Sequence, residues 1–281
     1  MTPHEPATVI KRALLTRFGE AFEVPADLSG LPELAILASR GTQRVYADRA
    51  VDPALLRLLC ACALSAPSKS DLQQADLLVV ADPVLRGEIA SLVPDQHWVR
   101  AAPVFLLVLA NGRRLVEISR LRAKPFPNRH LDHFFNATAD AAIVLATFLR
   151  AAEAVGLGCC PVSVVREQAA GISDLVGLPP LVVPVAGLCV GWPTRAPVIS
   201  PRLDLACTLH RDRYDEGDLA DRVAGYDRRR AVSQPFATQR DVLRWGDAAS
   251  YGWSEDKARQ FADPHCAGFG TFVRGKGYCL D

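Results

Sequence analysis

The sequence predicts an α+β protein with helices on both faces of a mixed sheet. Short apolar runs at residues 77–81, 102–110 and 181–190 read as buried strands. Six or seven segments of helical periodicity share the chain with these three or four strands, without strict alternation. One of them, residues 137–155, is apolar almost all round (Ala141, Ala142, Ile143, Val144, Leu145, Phe148), as expected of a central buried helix.

In order along the chain, Val9, Ile10, Ala13, Leu14 and Phe18 fall on one helical face that Gly19 terminates. Residues 25–30 read as a loop and 31–38 as a second helix leading to Arg40. Asp52 followed by Pro53 is an N-cap with proline at the first helical position, opening a helix over 53–64 that stops before Pro67. Strand 77–81 precedes another Asp-Pro start at Asp82-Pro83. Strand 102–110 follows. Residues 113–133 are basic and contain Pro125 and Pro127, which predicts a mobile connection. The long apolar helix ends at Gly156-Leu157-Gly158, and strand 181–190 is closed by Gly191-Trp192-Pro193. Beyond about residue 206, aspartate, arginine, tryptophan and glycine replace the aliphatic runs. The expected division is a core over 1–205 with N-terminal helices, and an extension over 206–281 packed on it. The sequence shows no internal repeat.

The 281 residues suit one large domain or two modest ones. Hydrophobic residues at 49% and charged residues at 22% permit a sizeable core. A net charge of +1 gives no global field to attract nucleic acid or an anionic membrane, so any anion site must come from local arginines. The eight cysteines form no C-x-x-C pair and several lie in apolar runs, which predicts reduced thiols and a cytoplasmic setting. The N-terminus has no signal-peptide pattern, and Glu5, Glu20 and Glu23 argue against a transit peptide. No uninterrupted apolar run reaches spanning length, so no membrane segment is expected.

The most informative segment is Arg40-Gly41-Thr42-Gln43-Arg44, where two cations flank a hydroxyl. Arginine presents a planar fork of donors that matches phosphate oxygens. Taken alone, the segment reads equally as a solvated helix end. Ser68, Lys69, Ser70 and Gln73 add hydroxyls, an amine and an amide on the loop after Pro67. Gly156 to Ser163 lacks G-x-G-x-x-G and follows a helix instead of opening one, so it is no dinucleotide fingerprint; by itself it is a helix cap and turn. His130-Leu131-Asp132-His133 could be a metal pair or a polar loop facing substrate, and with no further ligand cluster no metal is assigned. Arg228-Arg229-Arg230 could be a solvated charged turn or an anion clamp.

Taken in order, Arg-x-Thr-x-Arg (40–44), Ala-Pro-Ser-x-x-x-x-Gln (66–73), Ala-Glu-Ala-x-Gly-Leu-Gly (152–158) and Pro-Arg-Leu (201–203) resemble the motifs of the FMN-dependent nitroreductase family. The tail, with His210-x-x-x-Tyr214, Tyr226-Asp227, Trp253-Ser254-Glu255 and Gly275-Lys276-Gly277-Tyr278, is similar to the larger NADPH-preferring nitroreductase and flavin reductase subgroup. The resemblance implies a nitroreductase-like fold, with a mixed, mostly antiparallel sheet, in a homodimer that holds FMN at its interface. It implies that Arg40, Gly41, Thr42 and Arg202 hold the FMN phosphate and that Arg44 lies near the pyrimidine side of the ring. Ser68, Lys69, Ser70 and Gln73 would come from the partner subunit, and Gln96 would make a polar contact. Pro161, Val162, Ser163 and Val164 would run along the flavin, with a backbone N–H reaching N5. Arg228, Arg229, Arg230 and Arg240 become candidates for the NADPH 2′-phosphate. Three positions depart from the pattern: Asp71 replaces asparagine, Ser200 replaces a lysine that commonly helps bind phosphate, and Ser163-Val164 replaces a glycine-rich pair.

The activity implied is hydride transfer from NADPH or NADH through FMN to a nitroaromatic, a quinone or free flavin, by ping-pong turnover. Flavin N5 carries the chemistry, so no catalytic side chain is assigned. The departures leave open a flavin-binding carrier or regulator without turnover, and a relative that performs reductive dehalogenation or flavin breakdown.

Overall fold

In the computed structural model, which describes residues 4–25 and 27–281, a four-stranded sheet has the order β1-β2-β4-β3. The strands are β1 (Ala75–Val79), β2 (Val104–Asn111), β3 (Gly158–Val162) and β4 (Val182–Gly191), and every pairing among them is antiparallel. Ala26, in the expected 25–30 loop, and residues 1–3 lie outside the described residues.

The chain divides into two compact units. One runs from Thr42 to Ala196 and adds Cys266–Asp281. It holds the sheet with α3 (Pro53–Leu64), α4 (Pro83–Leu92), α5 (Trp98–Ala101), α6 (Arg113–Leu121), α7 (Leu131–Ala154), α8 (Ala169–Leu175) and α12 (Phe269–Gly275). The other takes the chain through Gly41 together with Pro197–His265. It holds α1 (His4–Phe18), α2 (Leu31–Ser39), α9 (Leu219–Ser233), α10 (Val242–Trp245) and α11 (Trp253–Gln260).

Side-chain alternation explains the sheet unit. Leu106, Val108 and Ala110 of β2 pack with α3 and α7, among Leu59, Ala141, Val144 and Phe148. Phe105, Leu107 and Leu109 point the other way, toward Ile89 of α4, Val99 of α5 and Ile172 of α8. Both faces are covered, so β2 and β4 read as continuous apolar runs although the sheet is antiparallel. Phe105 and Phe148 are fully buried, and truncating such a side chain typically costs about 3–5 kcal/mol.

The helix starts agree with the sequence. Asp52 accepts from the N–H groups of Ala54 and Leu55, and Asp82 from that of Val84. Gly19 follows α1 at φ 76°, a conformation that glycine adopts without penalty. Three expectations change. The first strand begins at Ala75, two residues before the expected 77. Residues 113–133 are not one mobile connection, because α6 forms. Asn111 Oδ1 accepts from the Arg114 N–H, and Glu117 pairs with Arg113 at 3.0 Å and Arg120 at 2.8 Å, one helical turn away on either side. Residues 158–162 form a strand and not merely a turn. β3 is the outer neighbour of β4, a place where Pro161 is tolerated because its missing N–H breaks no interior ladder.

Helix α7 has 24 residues and, although it contains no unbroken apolar run of spanning length, is long and apolar enough by length and composition to cross a membrane. It is nevertheless a core helix on one side. His133, Ala137, Asp140, Ala141, Val144, Phe148 and Ala152 form its buried stripe, while Phe135 and Ile143 are exposed.

His133 sits in a small aromatic cluster with Phe126 and Tyr278. Its Nε2 lies 3.0 Å from the Gly112 carbonyl, and its Nδ1 is buried without a partner. The neutral Nε2–H tautomer fits this arrangement. Tyr278 completes it by accepting from the Gly112 N–H and donating to the Leu181 carbonyl, both at 2.8 Å. Burial holds the His133 imidazole below the usual histidine value, with the Gly112 hydrogen bond partly opposing. The unfolded chain, with a histidine pKa of about 6.5, therefore takes up this proton first. The contribution to stability is complete above that pH and is lost as pH falls toward the folded value. Urea unfolding near neutral pH and at about pH 5.5 should show a larger loss for the native protein than for His133→Gln, which keeps a donor but does not titrate. Equal losses would contradict this role.

Candidate functional site

In the unit that contains the N-terminal helices, the last turn of α1 carries Arg17 on the same face as Ile10 and Ala13. Arg17 is only 8% exposed. Its Nη2 donates to the carbonyls of Ala38 (3.0 Å) and Arg40 (2.8 Å), and its Nη1 to the carbonyl of Ser200 (3.2 Å). Its own carbonyl accepts from the Arg202 N–H at 2.6 Å. Helix α2 ends at Arg40, which leaves in an extended conformation (φ −58°, ψ 147°). The terminal carbonyls of a helix lack intrahelical donors, and Arg17 supplies them. Burial, and then the neighbouring charges of Arg202 and Arg40, hold the Arg17 pKa below the ordinary arginine value.

Gly41 is required here by space. A Cβ at this position would lie 2.5 Å from the Val198 carbonyl oxygen, so Gly41 lets the 197–202 segment approach. Arg229 of α9 donates to the carbonyls of Phe18 (2.7 Å) and Arg202. Arg230 lies over the Phe236 ring, Arg240 pairs with Asp256 at 3.5 Å, and Arg228 is exposed on α9. The expected 228–230 turn is thus helical. Tyr226 packs edge-on against Trp253, and Asp227 accepts from the Ser254 backbone and hydroxyl at the start of α11, so these tail motifs join α9 to α11.

In the sheet unit, Gln43 donates its N–H to the Cys159 carbonyl at 2.9 Å, laying residues 42–44 beside β3. Gln43 is buried, its amide donating to the Arg195 carbonyl at 3.1 Å, while Thr42 and Arg44 are exposed. A Cβ on Gly158 would meet the Gln43 side chain at 2.7 Å, which explains the second glycine of Gly156-Leu157-Gly158. The Arg44 guanidinium lies 4.9 Å from the centre of the Trp98 ring, two residues beyond Gln96. Residues 42–44, 96–98 and 158–163 therefore meet. Pro161 and Ser163 are exposed on either side of buried Val162, and Ser163 and Val164 open a short 3-10 turn.

Ser68, Asp71 and Gln73 line an opening of about 830 Å³ together with Arg114 and Asp140. Asp140 on α7 holds the loop at both ends. It accepts from the Ser68 hydroxyl (2.7 Å), the Lys69 N–H (3.2 Å) and the Gln74 N–H (3.0 Å). Ser68 Oγ in turn accepts from the Gln73 N–H at 2.7 Å. Between these ties Ser70, Asp71 and Gln73 have φ of 50°, 56° and 52°. Left-handed backbone at non-glycine residues costs about 1–3 kcal/mol each and persists only where the surroundings hold it. Asp71 accepts from the Gln73 amide at 3.0 Å, and Lys69 pairs with Asp132 at 3.2 Å. Among the described residues no three histidine, cysteine, aspartate or glutamate side chains could together hold a metal ion.

Sequence reasoning missed Arg17, Trp98 and Asp140. Two of them carried a signal, since Arg17 and Asp140 are charged residues at core positions of apolar helical stripes.

The arginine cluster fits a phosphate group by its chemistry. The buried Arg17 guanidinium is disfavoured by the neighbouring charges of Arg202 and Arg40, and an anion bound among them relieves that repulsion. A flavin mononucleotide offers that phosphate.

Comparison with known proteins agrees with this chemistry. Residues 88–192 match the nitroreductase family, and residues 200–281 match its C-terminal domain. The FMN reductase [NAD(P)H] of Bacillus subtilis is 31% identical over 213 residues, covering 74% of this chain and 86% of the relative. The oxygen-insensitive NADPH nitroreductase of Salmonella typhimurium is 28% identical over 222 residues, covering 77% and 88%. The solved structure of NfrA2 from B. megaterium superposes with a TM-score of 0.80 at 26% identity, covering 89% of this chain and 98% of that one. The protein is a member of the nitroreductase family.

Proposed function

We propose that this protein is an FMN-dependent oxidoreductase that draws reducing equivalents from NADPH or NADH and delivers them to an electron-poor small molecule such as a nitroaromatic, a quinone or free flavin. The observation that carries this reading is the meeting of Arg17, Arg40 and Arg202 around the end of α2, in a chain whose relatives are named as FMN reductases and nitroreductases. Those relatives' names support turnover over a carrier role.

Bound FMN supplies hydride acceptance at N5 and its return to a second substrate. The protein's part is to bind, orient and polarise. Arg40, Thr42 and Arg202 hold the phosphate, and Gly41 keeps the backbone thin enough for the 197–202 segment to close on it. Arg44, stacked over Trp98, would place positive charge beside the pyrimidine side of a bound flavin. The first N–H groups of a helical turn have no partner within it, so the N–H of Ser163 or Val164 would be free to donate to it. Gln96, Pro161 and Val162 would line the ring.

Ser68, Lys69, Ser70 and Gln73 serve a second copy of the chain, in a homodimer. Supporting this reading are the exposed apolar residues of α7 and α3, including Phe135, Ile143 and Leu58. Arg228, Arg229, Arg230 and Arg240 are the candidates for the NADPH 2′-phosphate, and Arg228 is the most exposed of the α9 trio. The setting is cytoplasmic.

One pocket serves both substrates in turn, so double-reciprocal plots at several fixed acceptor concentrations should be parallel. Intersecting lines would require a ternary complex and exclude this mechanism. Arg40→Ala should weaken FMN binding by about tenfold or more, as expected for a lost charge-assisted hydrogen bond. Arg228→Ala should leave FMN binding intact and raise KM for NADPH relative to NADH. Equal loss of FMN in both variants would contradict the assignment.

A further inference from the structure

We infer that Arg17 is a positioning residue of the phosphate site and supplies locally the cation that Ser200 does not. The inference rests on the FMN reading above and names a residue outside every motif that led to it.

Arg17 ties three segments of one unit. Its side chain reaches the carbonyls of Ala38 and Arg40 at the end of α2 and that of Ser200 in the 197–202 segment. Its backbone carbonyl receives the Arg202 N–H. The guanidinium therefore fixes where Arg40 leaves its helix and where Ser200 stands, and these segments carry the other two cations. Any residue at position 17 would keep the backbone bond to Arg202. Only a forked donor keeps the three carbonyls together.

The forked donor brings a charge with it, and a buried cation beside two others is electrostatically unfavourable unless an anion joins them. Burial and the charges of Arg202 and Arg40 act against the Arg17 cation, yet it stands there at 8% exposure. With serine at 200, Arg40 and Arg202 would face a phosphate alone. Arg17 raises the local positive charge without adding a side chain to that segment.

The test measures FMN and riboflavin affinities of apoprotein, because riboflavin lacks only the phosphate. Arg17→Met should weaken FMN about tenfold or more, with riboflavin unchanged, and adding Ser200→Lys to it should restore most of the loss. Unchanged FMN affinity, or equal weakening of both ligands as expected from loosened packing, would overturn the inference. Ser200→Lys in the native background keeps Arg17 and needs no disruptive change. It should alter FMN affinity by less than about threefold, since the cation is already present, and a tenfold gain would overturn the inference. Arg40→Ala is the control for the underlying reading. If it leaves FMN affinity unchanged, the FMN assignment of this cluster fails, independently of Arg17.

Discussion

The convergence of Arg17, Arg40 and Arg202 is the constraint around which the N-terminal unit is organised. Cations this close are unfavourable in isolation, and their positions are set by backbone carbonyls. Arg17 caps α2 and takes hold of the 197–202 segment, Arg229 reaches from α9 to the Phe18 and Arg202 carbonyls, and Gly41 leaves room for Val198. Helices α1, α2 and α9 thus share contacts that serve one electrostatic end. The buried apolar contacts of Ile10, Ala13, Leu31, Ala35 and Ala38 supply the stability that such a cluster lacks.

The sheet unit meets a different demand. Its two apolar faces bury β2 and β4, and residues 42–44 and 158–163 meet at the outer strand, where the backbone turns irregular. Gln43 lays residues 42–44 along β3, Gly158 allows the close approach, and the chain turns into a 3-10 segment at Ser163. At the 68–74 loop, Asp140 holds a backbone with three left-handed residues, of which only Asp71 is of a type that adopts this conformation readily. In both places an apolar core positions polar groups that the local sequence would not hold by itself.

Much of this was legible in the sequence, and the rest was hidden for identifiable reasons. Helices α3 and α4 announce themselves through aspartate-proline starts, and β2 and β4 through length and apolarity, because those signals act within a few residues. Strand β3 was hidden because glycine, cysteine and proline are poor strand markers and its place depends on β4. Helix α6 was hidden because its support comes from Glu117 between two arginines, which resembles a polar linker. The motif order singled out Arg40, Thr42 and Arg44 as candidates, but Arg17 and Asp140 act through partners 21 or more residues away, a relation that spacing cannot express.

A flavin phosphate is the proposed reason for the arginine cluster, and flavin reduction the proposed role of the protein. An anaerobic absorbance spectrum of the purified protein supplied with FMN, before and after NADPH, tests this most directly. The account predicts a yellow protein whose visible flavin band persists through gel filtration and bleaches when NADPH is added. A protein that stays colourless after incubation with FMN, or one whose bound flavin remains oxidised under excess NADPH and NADH, would contradict it.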